Sequence, residues 1–233
     1  DTDIEFEGLI QQERIQFCKV NLNEPIPADI EAPRSFDFIY HLAAINGTRL
    51  FYEMPYEVAV TNLSVTINLL KWLENVSFKR LVYSSTSEVY ADSNTVGLLN
   101  IPTSEKVPVV FTQPTNTRFS YATSKFMGEF LCNHFGSSFN KEVSVIRYHN
   151  IYGPRMGSKH VIPEFILRFL NKDDPFVIYG GKETRAFCYI DDATKATMLV
   201  ATTEECNGEI IHIGNSQEEI SIIDLAQKMK DQF

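Results

Sequence analysis

The sequence predicts an α/β protein: a doubly wound parallel sheet with helices on both faces, then a smaller C-terminal lobe. Three observations carry this expectation. Short apolar runs of strand length alternate with stretches of helical periodicity along most of the 233 residues. Helices placed between strands act as crossovers, and crossovers make neighbouring strands parallel and cover both faces of the sheet. Residues able to do chemistry, in the segments at His41, 84–88 and 148–155, lie just past predicted strands. That is where open parallel sheets bind ligands.

Taken in order, Phe36 to Tyr40 is an apolar and aromatic strand candidate. Residues 61–74 place Leu63, Ile67, Leu70 and Leu73 at helical spacing. Arg80 to Tyr83 is a strand that runs into the hydroxyl cluster Ser84-Ser85-Thr86-Ser87. Residues 93–118 hold three prolines among many polar residues and predict a long loop. A helix from Tyr121 to Phe135, a strand from Val143 to Arg147 and a helix over 160–171 follow. Short strands are expected at Phe176 to Tyr179 and Ile210 to Ile213, with a helix at about 191–204 between them. Asp191 and Asp192 are expected to cap that helix, and Ser221 with Asp224 reads as a capping box opening a last one. The division expected is residues 1–155 for the sheet domain and 156–233 for a partial lobe, some elements of which return to the first domain.

Composition narrows function. A net charge of −9 argues against nucleic acid or an anionic membrane surface as partner. No apolar stretch is long enough to span a bilayer, and the acidic start Asp1-Thr2-Asp3-Ile4-Glu5 is unlike the basic start of a signal peptide. The expected location is cytoplasmic. Cys18, Cys132, Cys188 and Cys206 are far apart and are expected to be buried reduced thiols. The five histidines form no metal-binding pair, so no metal is expected.

Tyr121 and Lys125 stand at i and i+4 of one predicted helix. A free phenol titrates near ~10, and a cation one turn away is expected to lower that value, making a base for a substrate hydroxyl. Taken alone the pair is also what an exposed helix offers by chance. Its setting adds weight: Tyr83-Ser84-Ser85-Thr86-Ser87-Glu88-Val89-Tyr90 precedes it, and Arg147 to Arg155 and Thr184 to Asp192 follow.

With His41-Leu42-Ala43-Ala44, these motifs resemble the extended short-chain dehydrogenase/reductases, the NAD-dependent nucleotide-sugar epimerases and dehydratases, in order and over nearly the whole chain. The resemblance implies a Rossmann-like fold, NAD as cofactor, a nucleotide-sugar substrate and a homodimer formed through the helices holding 61–74 and Tyr121. It implies Thr86 and Tyr121 as the catalytic pair, with Lys125 binding the nicotinamide ribose. Leu42, Ala43, Ala44, Ser84, Ser85 and Tyr148 would run along the cofactor, and Asn62 would help shape that region. Asn150 would contact substrate, and Arg185 would grip its diphosphate, a task suited to a guanidinium fork.

The family first oxidises the sugar at C4 and then epimerises, dehydrates or decarboxylates it. Thr86-Ser87-Glu88 resembles the triplet of UDP-glucuronate decarboxylases and GDP-mannose dehydratases, with Glu88 an acid/base or orienting group. Residues 150–156 are closer to the decarboxylases, and a 4-epimerase stays open. The chain departs from the family in lacking the GxxGxxG turn that cradles the NAD pyrophosphate. The family's N-terminal strand–helix–strand unit is accordingly missing; Ile15 to Leu22 resembles the family's third strand and its end, and Asn21 stands where the family has an adenine-contacting aspartate. The enzyme reading is therefore of the intact protein, residues 1–233 alone being expected to be inactive and to bind NAD weakly or not at all; a truncated non-catalytic nucleotide-sugar-binding or structural relative is the alternative reading.

Overall fold

The computed structural model describes residues 3–233; Asp1 and Thr2, part of the acidic start, lie outside the described residues. The elements are α1 (Ile4–Ile10), β1 (Ser35–His41), α2 (Thr48–Glu53), α3 (Pro55–Leu73), β2 (Ser77–Thr86), a 3₁₀ turn (Ser87–Tyr90), α4 (Ala91–Thr95) and α5 (Phe119–Phe139). They continue as β3 (Glu142–Tyr148), β4 (Ile151–Tyr152), α6 (Val161–Leu170), β5 (Thr184–Ala186), β6 (Cys188–Tyr189), α7 (Ile190–Thr202), β7 (Ile210–Ile213), β8 (Glu219–Ser221) and α8 (Ile222–Lys230).

β1, β2, β3 and β7 form one sheet in that order, parallel throughout. Period two sends successive side chains of β2 to opposite faces. Leu81 and Tyr83 pack with Leu70 and Leu73 of α3 and Cys132 and Phe135 of α5. Val82 joins Ile146 and Ile213 against Ala193, Val200 and Ala201 of α7. Burial on both faces is why the central strands read as apolar runs rather than alternating ones. The exception is Arg80, 1% exposed. Its guanidinium pairs with Glu142 at 2.8 Å and donates to the carbonyls of Val200 and Thr203. A buried cation thereby satisfies the open end of α7.

α5 crosses this sheet closely. A Cβ added at Gly128 would lie 1.9 Å from the Tyr83 hydroxyl, so only glycine admits that ring. The helix ends at Asn140, whose φ of 51° is the left-handed conformation that asparagine tolerates.

The irregular stretch 96–118 is anchored at several points. Buried Asp92 accepts from the Thr112 N–H and hydroxyl, and Ser93 bonds the Pro108 carbonyl and the Val110 N–H. Glu105 accepts from the His212 N–H on the outer edge of β7. The expected long loop is therefore a strap over the sheet.

Beyond residue 155 the chain divides its packing. α7 and β7 return to the sheet. α6 and α8 enclose Phe165, Ile222 and Ala226, with Phe176 and Ile178 beside them, and β5 pairs antiparallel with β8.

Several expectations are corrected. Residues 15–22 form no strand: the segment has no ladder partner and is mostly exposed, tied to α3 by the Asn68 amide on the Leu22 carbonyl. Residues 176–179 are irregular too, since Phe176 and Ile178 serve as apolar contacts for α6 and α8. Asp191 and Asp192 do not cap α7; Tyr189 holds the cap position without a side-chain bond, and both aspartates lie in the first turn, where the helix dipole favours them. Cys132 and Cys188 are buried free thiols, whereas Cys18 is exposed and Cys206 intermediate. The Ser221 capping box forms as expected, its hydroxyl accepting from the Asp224 N–H.

Candidate active site

Tyr121, Lys125 and Glu129 recur every four residues on α5 and form one buried stripe facing the end of β2. Tyr121 is held from both sides. Phe51 of α2 stacks on its ring at 4.8 Å and 8°, and on the other side Thr86 at the strand end lies near enough to favour the phenolate. Lys125, 2% exposed, points its ammonium at the Ser84 hydroxyl, 3.5 Å away, and over the Tyr83 ring at 4.5 Å. Glu129 pairs with Arg147 of β3 through both guanidinium ends, at 2.9 and 2.6 Å. The Ser85 hydroxyl also donates to Glu129, while Arg147 donates to the Tyr90 hydroxyl, which meets His212 at 2.8 Å.

A second buried joint lies beside the first. Asn62 accepts from the Ile45 N–H at 2.7 Å and donates to the Ile45 carbonyl and the Ser124 hydroxyl. It pins the segment after β1 to α5. His41 bonds Thr66 at 3.0 Å, and burial with the nearby Lys125 charge pushes its pKa down to about 3, so the ring is neutral.

The electrostatics differ from what an isolated helix suggests. The Tyr121 pKa is pushed up to about 12, first by burial and then by the Glu88 carboxylate, with Thr86 pulling the other way. Lys125 is not among the groups that lower it, because its ammonium is turned to Ser84 and Tyr83. Burial takes the Lys125 pKa itself down to about 8. The expected lowering of the phenol by its i+4 lysine is therefore corrected: desolvation dominates.

Thr86, Tyr121, Lys125, Ser84 and Glu88 thus converge at the end of β2. Thr86 also accepts from the Glu88 N–H at 3.2 Å, opening the 3₁₀ turn and fixing where Glu88 leaves the strand. Leu42, Ala43 and Ala44 are exposed just after β1. Ser85 and Tyr148 spend their hydroxyls inside the protein, Ser85 on Glu129 and Tyr148 on Thr197 of α7 at 2.7 Å. Asn150, at φ 44°, donates to the Ala186 carbonyl, which ties the loop after β3 to β5. Arg185 is exposed on β5 and held by Glu183 and the Thr184 carbonyl. Sequence reasoning missed Phe51 and Glu129. The four-residue spacing continuing past Lys125 could have found Glu129; nothing local marks Phe51.

A buried ammonium with a depressed pKa costs stability. Between pH 8 and 9 the unfolded lysine keeps its proton while folded Lys125 releases it, so its contribution rises with pH. Above that range, Cys132 and Tyr83, both raised by burial, act oppositely because the unfolded chain loses those protons first. We therefore expect Lys125→Met to be more stable than wild type at pH 7, by about 1–3 kcal/mol in urea unfolding. The advantage should shrink toward pH 9. A less stable variant would contradict the assignment of Lys125 as a destabilising charge.

Residues 6–214 fit the profile of the NAD dependent epimerase/dehydratase family. The chain is 38% identical over 200 residues to a UDP-N-acetyl-alpha-D-glucosaminuronate decarboxylase of Bacillus cytotoxicus, covering 84% of this chain and 59% of the relative. It is 32% identical to a UDP-glucuronate 4-epimerase of Thermodesulfobacterium geofontis, over 81% of this chain and 54% of that one. The crystal structure of a UDP-glucuronic acid 4-epimerase from Bacillus cereus, in complex with UDP-glucuronic acid and NAD, superposes with a TM-score of 0.78. That match has 29% identity and covers 97% of this chain and 69% of the other. The chain spans about half to three fifths of the length of these curated relatives. On the profile match and the identity to the first relative, the chain belongs to the NAD dependent epimerase/dehydratase family.

Proposed function

We propose that the protein oxidises a nucleotide sugar transiently at C4 with NAD and goes on as a decarboxylase or 4-epimerase. The observation that carries the proposal is the joining of Thr86 of β2 with Tyr121 and Lys125 of α5 at one strand end. The residues suit the nicotinamide–ribose half of NAD on one structural ground. The buried Lys125 ammonium has three donors, and its hydrogen-bond contact is Ser84 at a long 3.5 Å. A ribose diol would supply the missing acceptors. The pyrophosphate half lacks its glycine cradle in this sequence.

When bound, NAD supplies the hydride acceptor. In this reading Tyr121 exchanges a proton with the sugar O4, and Thr86 shares that hydrogen bond. Lys125 binds ribose, while Leu42, Ala43, Ala44, Ser84, Ser85 and Tyr148 shape the cofactor side, Ser85 and Tyr148 by framework bonds rather than free hydroxyls. Glu88 orients the groups beyond C5, and Asn150 and Arg185 meet the sugar and diphosphate. The high Tyr121 pKa keeps the phenol protonated at neutral pH, the form that donates a hydrogen bond to substrate oxygen. Unpaired buried thiols at Cys132 and Cys188 suit a cytoplasmic location. Among the described residues no helix is long and apolar enough to cross a membrane.

A homodimer belongs to the same proposal. Val60 and Ile67 on α3, with Phe126, Met127 and Phe130 on α5, leave a band of exposed apolar side chains on two packed helices. Such bands mark association surfaces.

Mixing the intact protein with NAD and UDP-glucuronate should produce the absorbance of reduced nicotinamide or turnover to product. Tyr121→Phe should slow this by about 10²–10⁴-fold while sugar-nucleotide binding stays within a few-fold. Wild-type-like rates in the variant would remove Tyr121 from the role, and no oxidation by wild type would leave the non-catalytic binding reading. In sedimentation, wild type should run as a dimer and Phe130→Glu as a monomer; a monomeric wild type would overturn the dimer.

A further inference from the structure

Arg118 holds the N-cap position of α5, one turn before Tyr121, and nothing above uses it. Its backbone is fixed, the N–H donating to the Asn116 side chain at 3.1 Å. Its side chain is loosely held: the guanidinium is 46% exposed and reaches Glu88 through a single contact of 3.4 Å. A guanidinium carries five N–H donors, so most of them stay open to a ligand. The other arginines around the site are committed more fully. Arg147 binds Glu129 and Tyr90, Arg155 binds Asp3 and Glu5, and Arg185 binds Glu183 and the Thr184 carbonyl.

Charge at this rim matters for the chemistry. The Glu88 carboxylate acts on Tyr121 strongly enough to raise its pKa. A second carboxylate brought in by substrate would be repelled by Glu88 and would raise the phenol further, unless a cation stood beside both. Arg118 is that cation. Its exposed, single-contact pair with Glu88 is weak. A ligand carboxylate able to occupy the guanidinium fork with two parallel bonds competes well for it.

Building on the nucleotide-sugar reading of this site, we infer that Arg118 selects substrates whose sugar carries a carboxylate. Glu88 holds the guanidinium toward the site until a nucleoside-diphosphate uronate displaces it. Arg118 is in this sense a specificity-determining residue, and the neutral sugars lack the group it reads.

Calorimetric titration with two ligands differing at that group tests the assignment. UDP-glucuronate should bind Arg118→Ala about tenfold or more weakly than wild type, whereas UDP-glucose should change by no more than about twofold. Arg118→Lys, which keeps the charge, should recover part of the loss. Equal weakening of both ligands would give Arg118 a merely structural role and overturn the inference, as would no change for either. Binding of neither ligand to wild type would overturn the nucleotide-sugar reading itself, and the inference with it.

Discussion

The buried Glu129–Arg147 ion pair is the constraint on which the site depends. Both residues are 2% exposed, and the pair joins the middle of α5 to the end of β3. Two charges taken this far from water are tolerable only with nearly complete hydrogen bonding. Ser85 supplies it on the carboxylate side and Tyr90 on the guanidinium side. Those partners come from the end of β2 and the turn after it, so the pair also fixes where Thr86 and Glu88 leave the strand. Tyr121 and Lys125 lie two turns and one turn upstream of Glu129 on the same stripe, and a helix anchored there presents them to the strand end in one register.

The groups so presented are held away from their preferred protonation equilibria. Burial pushes the Tyr121 phenol up to about 12 and the Lys125 ammonium down to about 8, each toward its neutral form. The common cause is loss of water, which dominates both shifts at this geometry. Stability is given up at Lys125, while its spare donors and the hydrogen-bonding phenol are gained. Strain of this kind at one point requires over-determination around it. Asn62, Phe51 and the Glu129 network supply that from three directions.

Much of this was legible in the sequence, for reasons tied to burial. Strands such as Arg80–Tyr83 and Val143–Arg147 are covered on both faces and announce themselves as apolar runs. The long helices carry four-residue spacings that place Tyr121 with Lys125. Ser221 capped its helix because capping is a local interaction. What failed was what depended on distant partners. The apolar character of 15–22 and 176–179 was visible, but strand formation needs a ladder partner that local sequence does not reveal. The direction of the Tyr121 shift was misread because two residues on a helix say nothing about how much water reaches them. Phe51 stacks from a short helix seventy residues away in the chain, and only the fold brings it there.

The most direct test of this account is a double-mutant cycle on the anchor, with urea unfolding of Glu129→Leu, Arg147→Leu and the double variant. Each single change leaves one buried charge uncompensated and should cost about 3–5 kcal/mol. The double change removes both charges and should cost clearly less than the sum of the two. Single variants that lose little stability, or losses that simply add, would contradict the claim that this pair sets the position of α5 and of the site it carries.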